Sequence, residues 1–302
     1  MSAERKDSGA SARLLVVLLG ACWGLNWVAA RIILEALQPW QLRAVGIGIG
    51  ALTLFAAAAA TGARLSIPRS DWGKIFIAGF FNVAAFSIGS AYAQVYGTTS
   101  RAIVIAYSMP IWATLLARFV LKERLTPVRI AALTLCAAGL AILILPLARD
   151  RIPVGALIAL GCAWSWAAGT IYLKVVRITA PMVVIAAWQV LVGAAMLFVG
   201  MLYFEGLPDL LALPPRVVLW LAYNGMIGMG FAYFLWFVVI DRLPTTTASL
   251  GALLVPVVGV IGSAVLLGER PDLYDAVGFA LIFAAAACVL LQPTTPHPDV
   301  PE

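Results

Sequence analysis

Met109–Leu143, MPIWATLLARFVLKERLTPVRIAALTLCAAGLAIL, and Val255–Leu291, VPVVGVIGSAVLLGERPDLYDAVGFALIFAAAACVLL, are the two stretches on which the fold turns. Each carries an apolar run holding a proline, a Glu-Arg pair, and a second apolar run. Pro110, Glu123 and Arg124 of the first align with Pro256, Glu269 and Arg270 of the second. Working outward, Gly20 and Trp23 align with Gly161 and Trp164, and Pro39 with Pro181, at a nearly constant offset. Recurrence at a fixed spacing is the mark of an internal repeat. Each copy holds five apolar runs, and five is odd, so the second copy enters a membrane from the opposite side. Two such copies form an inverted repeat about an axis in the membrane plane, the architecture of alternating access.

The composition agrees. The 302 residues are 63% hydrophobic and 11% charged, against about 45–50% and about 25% in soluble domains. A helix needs about 20 apolar residues to cross the hydrocarbon core. The runs of that length are Leu14–Ala36, Trp40–Ala60, Trp72–Gln94, Arg101–Leu121, Pro127–Leu145, Pro153–Lys174, Pro181–Tyr203, Arg216–Ile240, Thr245–Leu267 and Leu273–Leu291. The predicted fold is therefore an all-α integral membrane protein with ten transmembrane helices in two inverted five-helix repeats. Its parts are a cytoplasmic tail (1–12), the first repeat (13–147), a connector (148–152), the second repeat (153–292) and a second cytoplasmic tail (293–302). Both tails are polar and are expected to lack fixed structure. Lys and Arg favour the side of the N-terminus by about two to one, which predicts both termini in the cytoplasm.

Several functions are excluded. The net charge of +6 comes from residues scattered between apolar runs, so no basic face exists for nucleic acid. Cys22, Cys136, Cys162 and Cys288 all lie inside apolar runs, without metal-ligand or disulfide spacing. The one histidine, His297, lies in the tail. No catalytic constellation, metal set or cofactor motif is present, so an enzyme is not expected.

Four kinds of residue are candidates for a transport site. Pro110 and Pro256 each remove a backbone donor and free a carbonyl one turn back. Matched interruptions in two repeats point to a site edge or hinge, and a packing kink is the alternative. Asn26, Asn82, Gln189 and Asn224 are amides at membrane depth. They must avoid lipid and either line a cavity or tie helices together. Trp23 and Trp164 lie deep in their helices at matching positions, with Phe86, Tyr107 and Tyr233 as further aromatics, and deep tryptophans call for a partner or a cavity. The glycines of GIGIG and of the Gly225, Gly228, Gly230 series allow close helix approach. Charged residues such as Arg31, Glu35, Arg43, Arg118 and Lys174 fall toward span ends, where long side chains snorkel to the surface. With no charge expected at mid-membrane, the cargo is neutral or zwitterionic.

The motif WGLNWVAAR (Trp23–Arg31) and the two long stretches quoted above resemble the EamA family of the drug/metabolite transporter superfamily. Within that family the chain is most similar to the aromatic amino-acid exporters, on YSMP around Tyr107, AWSWAAGTIY around Trp164, and GFAYFLW around Tyr233. The resemblance implies ten helices and a central cavity lined by both repeats, with helices five and ten set aside. It further implies export of aromatic and other large apolar amino acids from a bacterial inner membrane. Trp23, Phe86, Tyr107, Trp164 and Tyr233 would stack on the cargo, and Asn26, Asn82 and Asn224 would bind its amine and carboxylate. Other neutral metabolites, nucleosides or lipophilic drugs are the alternative cargo. The expected partners are a small-molecule substrate and membrane lipid, with the chain acting as a monomer.

Overall fold

The computed structural model describes residues 3–60, 62, 65–148, 152–242 and 245–290, and every regular element among them is helical. In chain order these are α1 (Ala3–Ile33), α2 (Pro39–Ala60), α3 (Arg69–Val95), α4 (Thr99–Val120), α5 (Pro127–Ala148), α6 (Val154–Val175), α7 (Met182–Phe204) and α8 (Pro215–Trp236, continuing to Arg242), followed by α9 (Thr245–Leu267) and α10 (Leu273–Leu290). Among the described residues, the first eight are long and apolar enough to cross a bilayer. Leu253–Leu267 and Leu273–Cys288 are shorter apolar stretches. The C-terminal tail expected at 293–302 lies outside the described residues, as does most of the connector. The N-terminal segment differs from expectation. Residues 3–12 continue α1 as helix, because Ala, Glu, Arg and Lys are good helix formers and no proline interrupts them.

Prolines open α2 and α5, where their fixed φ suits the first turn and their missing N–H costs nothing. Three helices are irregular. Helix α3 carries a π segment at Phe80–Ala85 and α8 a longer one at Tyr223–Phe231, each containing an asparagine. Helix α4 stops at Ala106 and restarts at Met109, with Pro110 in its new first turn. Ser108 spans that break: its hydroxyl donates to the Ile105 carbonyl at 2.6 Å and accepts from the Trp112 indole at 2.9 Å. Pro256, in contrast, sits inside an unbroken α9.

The helices pack mostly across the two halves of the chain. Helix α1 runs along α9, α2 along α7 and α8, α3 along α6 and α7, α4 along α6, and α5 along α10. The α5–α10 contact is close because two glycines face each other there; a Cβ on Gly139 would lie 3.0 Å from the Gly278 carbonyl. The main apolar core forms where α4, α5, α6 and α10 meet, around Ile103, Ile105, Ile111 and Ile282. A second core joins α2 to α7 through Ile47, Leu54 and Leu197. Helices α4 and α9 end alike. Lys122 and Gly268 adopt positive φ, at 57° and 69°, and the next residues, Glu123 and Glu269, donate their backbone N–H to Ala117 and Ser263.

Candidate functional site

Helix α1 brings Trp23, Asn26 and Trp27 to one face, since residues three and four apart stack along a helix. The Trp27 ring meets Phe86 of α3 edge-on at 6.3 Å and Tyr107 of α4 at 6.4 Å. Trp23 meets Tyr233 and Trp236 of α8 at 5.7 and 5.8 Å. Phe86 in turn meets Trp166 of α6 at 5.0 Å. These rings wall a cavity of about 450 Å³, and Asn82, Pro110 and Pro256 also line it. The volume falls within the range of about 300–1,000 Å³ that small-molecule sites occupy.

The polar lining is graded along the bundle axis. At one end lie Arg43, in the second turn of α2, and Ser87 and Ser90 of α3. At the other lie Glu123, Arg129 and Lys174. Glu123 and Arg129 form an ion pair of 3.0 Å with side chains 37% and 28% exposed, so the cavity reaches the surface there.

The opposite end of the bundle is laced shut. Glu269 accepts from the backbone N–H groups of Thr99 and Ser100 at 2.6 and 2.9 Å, capping the start of α4. Arg101 is bound by Asp275, and the Arg31 guanidinium donates to the Gln94 carbonyl. Gln41 donates its backbone N–H to Glu205 at 2.9 Å. A carboxylate on free N–H groups at a helix start is favourable both as a hydrogen bond and against the helix dipole.

Six of the expected site aromatics and amides come together at this cavity: Trp23, Asn26, Asn82, Phe86, Tyr107 and Tyr233. Two do not. Asn224 is 1% exposed and points its amide into Asn26, donating to the Asn26 Oδ1 at 2.7 Å. Asn26 donates onward to the Met229 sulfur at 3.6 Å. Asn224 is therefore a tie between α8 and α1, because a buried amide takes whichever partner is in reach. Trp164 is 37% exposed and meets Trp112 at 4.8 Å with the ring planes tilted by 33°, away from the cavity. Two residues along a helix is a turn of about 200°, so Trp166 faces inward where Trp164 faces out.

Arg43 also departs from expectation. Its side chain does not snorkel to the surface; it is buried, 5% exposed, with Nη2 donating to the Ser90 hydroxyl at 2.9 Å and Nε without a partner. Helices α3 and α8 cover the start of α2 and close its route to solvent. The one signal in the sequence for this polar corner is the stripe Asn82, Phe86, Ser90 at steps of four. Helices five and ten are not wholly set aside either, since Phe283 and Ala286 of α10 and Arg129 of α5 reach the lining.

Asn82 differs from Asn224 in its partners. Its Nδ2 donates to Gln189 of α7 at 3.2 Å, and its Oδ1 has none.

The chain matches the EamA-like transporter family twice, over residues 10–145 and 153–291. An uncharacterized transporter of Bacillus subtilis is 24% identical over 88% of this chain and 92% of its own length. Proteins of Salmonella typhimurium and Escherichia coli, both named probable amino-acid metabolite efflux pumps, are 28% and 27% identical over 93% and 92% of this chain and 93% of each of theirs. A crystal structure 24% identical to the chain shares its fold, with a TM-score of 0.65 over 92% of this chain and 95% of the other. With apolar spanning helices and a family match over both halves, this chain belongs to the EamA-like transporter family of multi-pass membrane transporters.

Proposed function

We propose that this chain exports amino acids, aromatic and other large apolar ones foremost, across the bacterial inner membrane by alternating access. The observation that carries this reading is the make-up of the cavity. Trp23, Trp27, Phe86, Tyr107, Trp166 and Tyr233 give it flat apolar walls, with Asn26 and Asn82 among them and charged or hydroxyl groups toward its two ends. An aromatic amino acid is a flat ring joined to a compact zwitterion, and such a cavity complements both parts. The enterobacterial relatives named as amino-acid metabolite efflux pumps support the cargo class.

The moving parts are two inverted copies of five helices. The double family match supports this, as do the paired π segments of α3 and α8 and the like endings of α4 and α9. In this reading α9 and α10 also cross the membrane. Their 23 and 18 residues give rods of about 35 and 27 Å at 1.5 Å per residue, against a hydrocarbon core of about 30 Å. The bias of basic residues then puts both termini, and the open end marked by Glu123 and Arg129, in the cytoplasm. Cargo loads from within and leaves when the Glu269 and Arg101 closures part. Its own outward gradient drives it, and a single chain holds the whole cavity.

Counterflow in proteoliposomes tests the reading. Vesicles loaded with unlabelled tryptophan are expected to draw in labelled tryptophan and phenylalanine faster than labelled nucleosides. Preference for a nucleoside over tryptophan overturns it.

A further inference from the structure

Arginine in a membrane bundle is costly and needs a reason. The guanidinium stays charged at any physiological pH and offers five N–H donors in a planar fork. At Arg43 one of these is used on a neutral hydroxyl, that of Ser90, whose own proton goes to the Ser87 carbonyl at 2.8 Å. The serine is thereby oriented with a lone pair toward the arginine. The Arg43 Nε is buried and has no hydrogen-bond partner among the described residues. Among the described residues no Asp or Glu forms an ion pair with Arg43. Among the described residues the one carboxylate lining the cavity, Glu123, is at the far end and holds Arg129.

A buried charge without a counter-charge is strongly disfavoured even after relaxation, and structural arginines avoid this by pairing. Arg43 instead borders the cavity, with part of its donor fork free. We propose that Arg43, steadied by Ser90, is a carboxylate subsite at the closed end of the cavity, taking the carboxylate of the cargo through charge-assisted, fork-like hydrogen bonds. The cargo class is thereby an organic acid or zwitterion with its carboxylate deep and its side chain pointing back along α3 toward Phe86. One helical turn of about 6 Å separates Ser90 from Phe86 along α3, a distance that an aromatic side chain bridges. The choice of amino acids over other carboxylates rests on the function proposed above, and the subsite itself does not.

The test is thermal unfolding of the detergent-purified full chain with matched ligand pairs. These are indole-3-propionate against indole-3-propionamide, and tryptophan against tryptophan amide. The carboxylates are expected to raise the unfolding midpoint of the wild type and the amides to leave it unmoved. Arg43→Gln should abolish that difference, and Arg43→Lys should keep part of it. In counterflow, Arg43→Gln should slow tryptophan exchange at least about tenfold, as losing one member of a buried charge pair does. Equal stabilisation of the wild type by acid and amide overturns the subsite whether or not the variants fold, and so does a carboxylate preference that survives in Arg43→Gln. Stabilisation by carboxylates through Arg43, without exchange of any amino acid, overturns the transport reading and leaves the subsite standing.

Discussion

Two asparagines, each in a π segment, meet different surroundings. Asn224 of α8 is sealed, with its amide on Asn26 and the Asn26 amide on Met229. Asn82 of α3 has one bond to Gln189 and a free oxygen, and it borders the cavity. The same residue in the same kind of local backbone is thus tied to a neighbouring helix on one side and borders the cavity on the other. An added residue in a helix re-aims a side chain; the neighbours decide what it meets. Glycines make the contrast sharper. Gly228 is packed on the Asn26 side chain from its Cβ outward, and Gly169 is packed on the far end of Asn82.

Substitutions at these positions separate the two roles. The largest effect is expected from Gly228→Ala. The new Cβ lands on the Asn26 Oδ1, Cγ and Cβ, so the whole side chain must leave and the tie to Asn224 breaks. Overpacking of this kind costs about 1–3 kcal/mol, read as lower resistance to denaturant in detergent. Unchanged stability would show that the α1–α8 tie bears no load. Asn224→Ala comes next. It strips the Asn26 Oδ1 of its donor without crowding, for about 1 kcal/mol in the same titration, and a loss as large as that of Gly228→Ala would assign the damage to something other than crowding. The smallest effect on stability belongs to Gly169→Ala, under about 0.5 kcal/mol, because the tip of Asn82 can swing into the cavity. Its mark should be slower tryptophan counterflow. A stability loss matching that of Gly228→Ala would mean that Asn82 is a tie between helices as well.

Much of this was legible in the residues. Runs of apolar residues bounded by proline and charge foretold the helices closely, because the need to bury backbone hydrogen bonds in lipid leaves few choices. Trp23 and Asn26 pointed to the cavity for a similarly direct reason, since a deep indole and a deep amide both need polar company. What the sequence left open was rotation and company. Trp164 and Trp166 differ by two positions, and an alignment of repeats is no sharper than that, so it selects Trp164, the outward ring, where Trp166 is the inward one. Arg43 looked like a surface residue because its place near a helix start gives depth along the axis and says nothing of what covers it. Pro110 and Pro256 behave differently for a related reason. The gap at Pro110 is bridged by Ser108 and Trp112, whereas α9 passes through Pro256 without a break.

The carboxylate of Glu269, just after α9, holds two backbone N–H groups at the start of α4, whereas that of Glu123, in the matching place after α4, holds the partly exposed Arg129. Timing follows from that inequality. In the proposed cycle, a clasp of several part-buried contacts lets go less often than a single wet ion pair, and the two strokes run at different tempos. In the proposed export cycle the protein would wait receptive and discharge briefly, with turnover set at the end that Glu269 and Arg101 join.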